Sequence, residues 1–233
     1  MSLYGWIILF SIAGPFALSF DKKVNFIRFW KPLSLAIICV AIPFLIWDEI
    51  FTQLEVWGFN PIYLMGIYLG HLPLEEILFF FVVPYCCVFI HEVLLAYFIN
   101  IKLKRIANLV GLIMLLLSIF MVLFHSTNFY TVSACSLSAI YTLIAIIRKF
   151  DWFPSFVFTY LVCLLPFLIV NGILTGSITS EPIVWYSEKH IIGFRILTIP
   201  FEDLFYNYSL LFPIIWIFEN LKRRFQLKKS VVR

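Results

Sequence analysis

The chain has 233 residues, 63% of them hydrophobic and only 13% charged, with 27 Phe, a net charge of +4 and a mean hydropathy of +1.00. That composition excludes an ordinary soluble domain and a disordered chain, and it places the protein in the polytopic membrane class. The small net charge carries no argument for a nucleic-acid partner, and the five cysteines (Cys39, Cys86, Cys87, Cys135, Cys163) show no CxxC or ligand spacing, so they read as small buried apolar side chains.

In chain order, seven apolar segments reach membrane-spanning length: about 3–20, 32–51, 74–99, 106–124, 129–147, 154–176 and 201–219. A span needs about 20 residues at about 1.5 Å each to cross about 30 Å of hydrocarbon. The first segment lacks the basic start and small-residue cleavage site of a signal peptide, so it is expected to be a retained span. The least secure boundary is the short turn around His125-Ser126-Thr127-Asn128.

Seven spans put alternate loops on opposite faces. Lys22, Lys23, Arg28, Lys31, Lys102, Lys104, Arg105, Arg148, Lys149 and the tail residues Lys222, Arg223, Arg224, Lys228, Lys229 and Arg233 fall on one side; only Lys189 and Arg195 fall on the other. The positive-inside rule then predicts a cell-membrane protein with its N-terminus outside and its C-terminus in the cytoplasm.

An acidic motif is written twice. Pro73-Leu74-Glu75-Glu76 opens the third span, and Pro200-Phe201-Glu202-Asp203 opens the seventh, 127 residues later. Pro43-Phe44-Leu45-Ile46-Trp47-Asp48-Glu49-Ile50-Phe51-Thr52 also aligns with Pro166-Phe167-Leu168-Ile169-Val170-Asn171-Gly172-Ile173-Leu174-Thr175, with six identities in ten. The expected architecture is all-α: seven transmembrane helices, arranged as two three-helix repeats (1–99 and 129–233, the latter with a basic cytoplasmic tail) joined by a connecting fourth helix (100–128). A fourth span returns the chain to its starting face, so the repeats are parallel, related by an axis along the membrane normal. Both acid pairs and Asp48 then lie at the outer ends of their helices.

Helix capping explains one such motif: Pro suits the first helical turn, and acids there meet free N–H groups and the positive end of the dipole. Two copies at matching depth, with Asp48 nearby, point beyond capping, because intramembrane acids are costly. Neighbouring helical residues point about 100° apart, so one acid of each pair is expected to face a substrate while the other caps its helix or bonds its partner. Phe79, Phe80 and Tyr206 stand four residues beyond Glu75, Glu76 and Glu202, where aromatic faces stabilise a cation. The long loops at about 52–73 and 177–200 are expected to fold over the site and seal it from water. The spacing Gly66-Ile67-Tyr68-Leu69-Gly70 is a weak helix-contact signal. His71 and His190 lie in these loops within reach of the site, whereas His91-Glu92 and Glu219 lie near the opposite end and read as interfacial anchors or partners of Lys or Arg.

Several chemistries lack their signatures. There is no GxGxxG for a flavin or nicotinamide, no HxxH or HxxxH for a di-iron centre, no Lys in the seventh span for a retinal Schiff base, and no DDxxD-like Mg²⁺ site. Neither a cofactor nor a metal is expected. A transporter would also show repeats, but its acids belong at broken helices near the midplane rather than at helix mouths.

Trp57-Gly58-Phe59-Asn60-Pro61, then Gly66, then Leu72-Pro73-Leu74-Glu75-Glu76-Ile77-Leu78-Phe79-Phe80 resembles the first half of the integral-membrane lycopene cyclases. These are the heterodimeric bacterial enzymes and the cyclase region of fungal bifunctional carotenoid enzymes. Ile199-Pro200-Phe201-Glu202-Asp203-Leu204-Phe205-Tyr206 resembles the corresponding motif of the second half, so the chain looks like both halves fused. Asn171 stands where the first half has Asp48, which makes the halves unequal. The resemblance implies acid-catalysed, redox-neutral cyclisation of the ψ-ends of lycopene to β-ionone rings, giving γ-carotene and then β-carotene. It leaves ε-ring formation and C50 substrates as alternatives. It implies Glu75 or Glu76 with Glu202 or Asp203 as the acid/base set, and Asp48 as an electrostatic partner. Trp57, Trp185, Phe79 and Tyr206 shape the pocket, and Pro73, Phe80, Asn60, Pro200 and Asn171 add to the substrate-binding surface. The implied partners are lycopene and other carotenoids in the bilayer, the lipid itself and other enzymes of carotenoid synthesis.

Overall fold

In hydrocarbon every backbone N–H and C=O must find a partner within the chain, and a helix supplies these bonds segment by segment. The computed structural model, which describes residues 2–98 and 104–231, accordingly folds each apolar segment as a helix. These are α1 Leu3–Leu18, α2 Trp30–Gln53, α3 Leu74–Tyr97, α4 Lys104–Phe124, α5 Phe129–Arg148, α6 Phe153–Leu174 and α7 Glu202–Val231. Among the described residues, five helices are long and apolar enough to cross a membrane: α2 to α6. The apolar α1 is shorter, at 16 residues. Lys102 and Arg233 lie outside the described residues, as do the side chains of Lys104, Lys228 and Lys229 and the expected boundary at 99/100.

The turn at His125–Asn128 separates α4 from α5 as expected. The largest departure is at the other end: α7 does not stop near residue 219 but continues to Val231. Beyond Glu219 the sequence turns polar without Gly or Pro, and its Leu, Lys, Arg and Gln residues are good helix formers.

The starts of α1, α3, α5 and α7 meet the ends of α2 and α6 at one end of the bundle, here called the upper end. α1 packs on α3, α5 on α7 and α4 on α5 and α6, while α2 and α6 run between α3 and α7. The deepest element is α7, buried continuously from Asn207 to Ile215. Its neighbours form aromatic contacts along its length, such as Phe156 with Tyr208 and Phe212, and Tyr141 stacked on Phe212. Where lipid replaces water outside, such close packing is what favours association of the helices.

The two long loops carry short strands inside the otherwise helical fold. β1 (Trp57–Phe59) pairs antiparallel with β4 (Val184–Tyr186), so the loops join each other across the upper end, with Trp57 opposite Tyr186. A hairpin follows in each loop: β2 (Tyr68–Leu69) with β3 (Leu72–Pro73), and β5 (Arg195–Ile196) with β6 (Ile199–Pro200). Gly66 and Gly193 both sit at φ +79°, and the first turn residues Gly70 and Leu197 sit at φ +65° and +59°. Each pair is 127 residues apart in sequence, and two-residue hairpin loops require positive φ at that turn position. Gly66 and Gly70 are therefore loop and turn residues, and the helix-contact expectation for their spacing is corrected.

At the lower end a second polar group is buried. Lys222 ion-pairs with Glu92 and, at 3.2 Å, with Glu219. His91 lies 3.4 Å from Glu219 through Nε2, and its Nδ1 shares a 2.7 Å hydrogen bond with Thr159. Pairing of these acids with a nearby basic side chain matches the sequence expectation.

Candidate active site

The two acids of each motif have different surroundings, and the difference recurs in both copies. Glu75 accepts hydrogen bonds from Ser2 Oγ (2.6 Å) and the Met65 backbone N–H (2.6 Å). Glu202 accepts from Thr131 Oγ1 (2.6 Å) and the Ile192 backbone N–H (2.7 Å). Each first acid thus ties its own loop, ten residues back and just before the positive-φ glycine, to the first helix of its own half. Both are fully buried. Neither lines the cavity described next.

The second acids turn into a cavity of about 60 Å³ at the upper end. Glu76 accepts a 2.6 Å hydrogen bond from Tyr4 Oη. Asp203 accepts from Tyr130 Oη (2.5 Å) on one oxygen, and from Asn171 Nδ2 (2.6 Å) and Tyr186 Oη (3.1 Å) on the other. The third acid, Asp48, accepts from Trp57 Nε1 at 2.6 Å through one oxygen, while its buried second oxygen has no hydrogen-bond partner among the described residues. Burial pushes the Tyr186 phenol well above its ordinary value, reinforced by the acids Asp203 and Glu76, so Tyr186 stays a proton-bearing donor.

Three carboxyl groups therefore share one small space with phenols, an indole and one amide as donors. No Lys, Arg or His among the described residues lines it. The remaining wall is apolar or aromatic, including Phe59, Phe79, Val83, Phe167 and Leu174. Tyr206 and Trp57 present their rings 6.1 Å apart, centroid to centroid, and Tyr130 stacks on Tyr186 at 5.8 Å.

The structure brings together Glu76, Asp203, Asp48, Trp57, Phe79, Tyr206 and Asn171 from the sequence candidates. It does not bring in the others. Trp185 follows Val184 and precedes Tyr186, two residues that line the cavity, and strand alternation turns it to the opposite face. There it lies so close over Gly58 that a Cβ on that glycine would sit 2.3 Å from the indole. Asn60 caps a short 3-10 turn by accepting from Ile62 N–H, and donates to Glu181 Oε2 at 2.9 Å. Phe80 is buried against Phe44 and Phe79, and Pro73 and Pro200 sit in β3 and β6 at the helix mouths. His71 pairs with Glu49 at 2.7 Å, and His190 stacks on Phe129; neither reaches the cavity.

Sequence reasoning missed Tyr4, Tyr130, Tyr186 and Asn207 as lining residues. A signal existed for the first two, since both stand near the start of the first helix of a half. They are 126 residues apart rather than 127, so a fixed shift places Tyr4 opposite Thr131. Tyr186 was hidden beside the more conspicuous Trp185.

Fold and site together define a helical membrane protein with a small cavity lined by three carboxyl groups. The model of the lycopene cyclase family matches residues 1–94 and 127–221, and the chain belongs to that family, with both halves in one polypeptide. The unmatched stretch between them contains the whole of α4. Comparison with curated proteins and with solved structures gives no match. Family membership supports cyclase activity in carotenoid biosynthesis.

Proposed function

We propose that the chain is a lycopene β-cyclase in which Glu76 and Asp203 form the acid/base set and Asp48 is their electrostatic partner. One observation carries the reading: the second acid of each motif enters a single cavity, each held by a tyrosine from the first helix of its own half. Three buried carboxyls without a cation nearby repel one another when all are ionised, so the set retains a proton to give.

The proton adds to the terminal alkene of a ψ-end and leaves a tertiary carbocation. The neighbouring double bond supplies its π electrons to the new ring bond, and the positive charge moves onto the ring. A carboxylate then removes an adjacent proton, leaving the ring alkene, so the product is an isomer of the substrate and no redox partner is consumed. The carboxylates and the faces of Trp57, Tyr206 and Phe79 stabilise the cation, and the paired loops exclude water that would trap it.

Seven spans in two parallel three-helix repeats, 1–99 and 129–233 around a connecting 100–128, form part of this reading. The recurring positive-φ positions and acid contacts support it, as does the gap between the two family matches. The N-terminus and both acid pairs then face outward and the basic tail faces the cytoplasm, with the substrate drawn from the bilayer. Expression in a lycopene-accumulating bacterium tests the reading: pigment chromatography is expected to show β-carotene replacing lycopene. Unchanged lycopene with protein present in the membrane would refute it.

A further inference from the structure

Below the acid cavity lies a larger and almost wholly apolar one, of about 280 Å³, between α1, α3 and α6. The two share Phe79, Val83, Phe167, Asn171 and Asn207 as common walls, and Asn207 Nδ2 has no partner among the described residues. Along α3 the lower cavity runs from Phe79 to Ile90, about 16 Å at the helical rise. It therefore descends from the upper end toward mid-bilayer, in a hydrocarbon layer about 30 Å thick.

Its walls explain why the space is open. Pro15 and Pro166 both line it, and a helical proline leaves the carbonyl four residues earlier without its N–H partner. For Pro15 that carbonyl belongs to Ser11, and the Cys86 thiol donates to it at 3.4 Å. Apart from the Asn171 and Asn207 amides at its upper end, the wall is almost wholly apolar. α1 leans on α3 and only lightly on α6, which leaves this side of the bundle the less sealed.

The matched place in the other half is filled. By the alignment of the two Pro-Phe-Leu-Ile segments, Val170 corresponds to Trp47; by the acid motifs, Phe79 corresponds to Tyr206. Val170 and Phe79 face the lower cavity. Trp47 and Tyr206 instead pack on each other at 5.0 Å, and Phe44 closes on both at 5.4 and 5.5 Å. A tryptophan thus fills on one side the space that a valine leaves open on the other.

Resting on the cyclase reading above, we infer that the α1/α3/α6 cavity holds the extended apolar polyene arm of the substrate while its end group lies among the acids. The arm has one seat and no counterpart beside α2 and α7. A symmetric substrate must then leave and return reversed before its second end reacts. The occupant follows from continuity with the acid cavity: an apolar channel opening onto proton-donating groups suits a hydrocarbon whose tip is the reacting end.

The test is Val170→Trp, which places in the first seat the side chain that fills its counterpart. In a lycopene-accumulating host it is expected to lower cyclisation more than tenfold at wild-type protein level. Ile169→Trp, the same change at an exposed neighbouring position on α6, and Trp47→Val are expected to retain activity. Should Val170→Trp fail to accumulate, the graded pair Val170→Leu and Val170→Phe is expected to show stepwise loss. A protein that cyclises lycopene at the wild-type rate with Phe or Trp at 170 would overturn the inference while leaving the cyclase reading intact, and would assign the space to lipid or loose packing. If the wild-type chain leaves lycopene unconverted, the cyclase reading itself fails. In vitro, with the protein in lipid vesicles, monocyclic product is expected to accumulate in the lipid phase before the bicyclic one; direct formation of the bicyclic product without a released intermediate would contradict the single seat.

Discussion

The two ends of α3 and α7 carry acids at matching positions, and the chain treats them in opposite ways. At the lower end Glu92 and Glu219 are buried around Lys222, with His91 alongside. At the upper end Glu76 and Asp203 are buried with Asp48 and, among the described residues, receive only phenols, an indole and one amide. A buried carboxylate beside an ammonium group is committed to charge and to one geometry, and removal of its partner is severe. A carboxyl among neutral donors can exchange a proton without dismantling its surroundings. On the proposed reading, the contrast separates a clamp from a reactive site within the same pair of helices.

The largest expected effect lies at the reactive end. Glu76→Gln and Asp203→Asn each keep the shape and most hydrogen-bonding capacity but remove the transferable proton. Cyclisation is expected to fall by about 10²–10⁴-fold, read as retained lycopene at unchanged protein level. At the clamp, Lys222→Met leaves two buried acids without their cation. The expected loss is about 3–5 kcal/mol of stability, read as a lower melting temperature in detergent, with activity per folded molecule retained.

Within each motif the same comparison sharpens to adjacent residues. Glu75→Gln and Glu202→Gln disturb buried bonds to a loop N–H and a hydroxyl, and are expected to cost about 1–3 kcal/mol in thermal stability while cyclisation per molecule stays near wild type. Tyr4→Phe and Tyr130→Phe remove one donor to each proposed reactive acid and are expected to slow turnover by about tenfold, in line with about 1.4 kcal/mol for one hydrogen bond. The smallest effect is expected at Leu197→Gly, which relieves a left-handed residue at φ +59° and raises the melting temperature slightly, by about 1 kcal/mol of stability.

The helices were legible because apolar length and turn residues are local properties. The end of α7 was not, since hydropathy marks where lipid contact ends rather than where a helix stops. The acid pairs were legible as a repeat, but the role of each member depends on contacts with Ser2, Tyr4, Tyr130 and Thr131, over 70 residues away in sequence. The β1–β4 pairing is likewise non-local: its register decides that Tyr186, and not Trp185, faces the acids. Asn171 illustrates the middle case. Its correspondence with Asp48 was readable, while its hydrogen bond to Asp203 required the fold.

The most direct test of the division of labour compares adjacent amide variants side by side. In a lycopene-accumulating host, the fraction of pigment left as lycopene is measured for Glu75→Gln, Glu76→Gln, Glu202→Gln and Asp203→Asn, each normalised to membrane protein. Near-complete retention of lycopene in the Glu76 and Asp203 variants, with conversion in the other two, is the predicted result. Conversion by the Glu76 and Asp203 variants at the wild-type level would contradict the account.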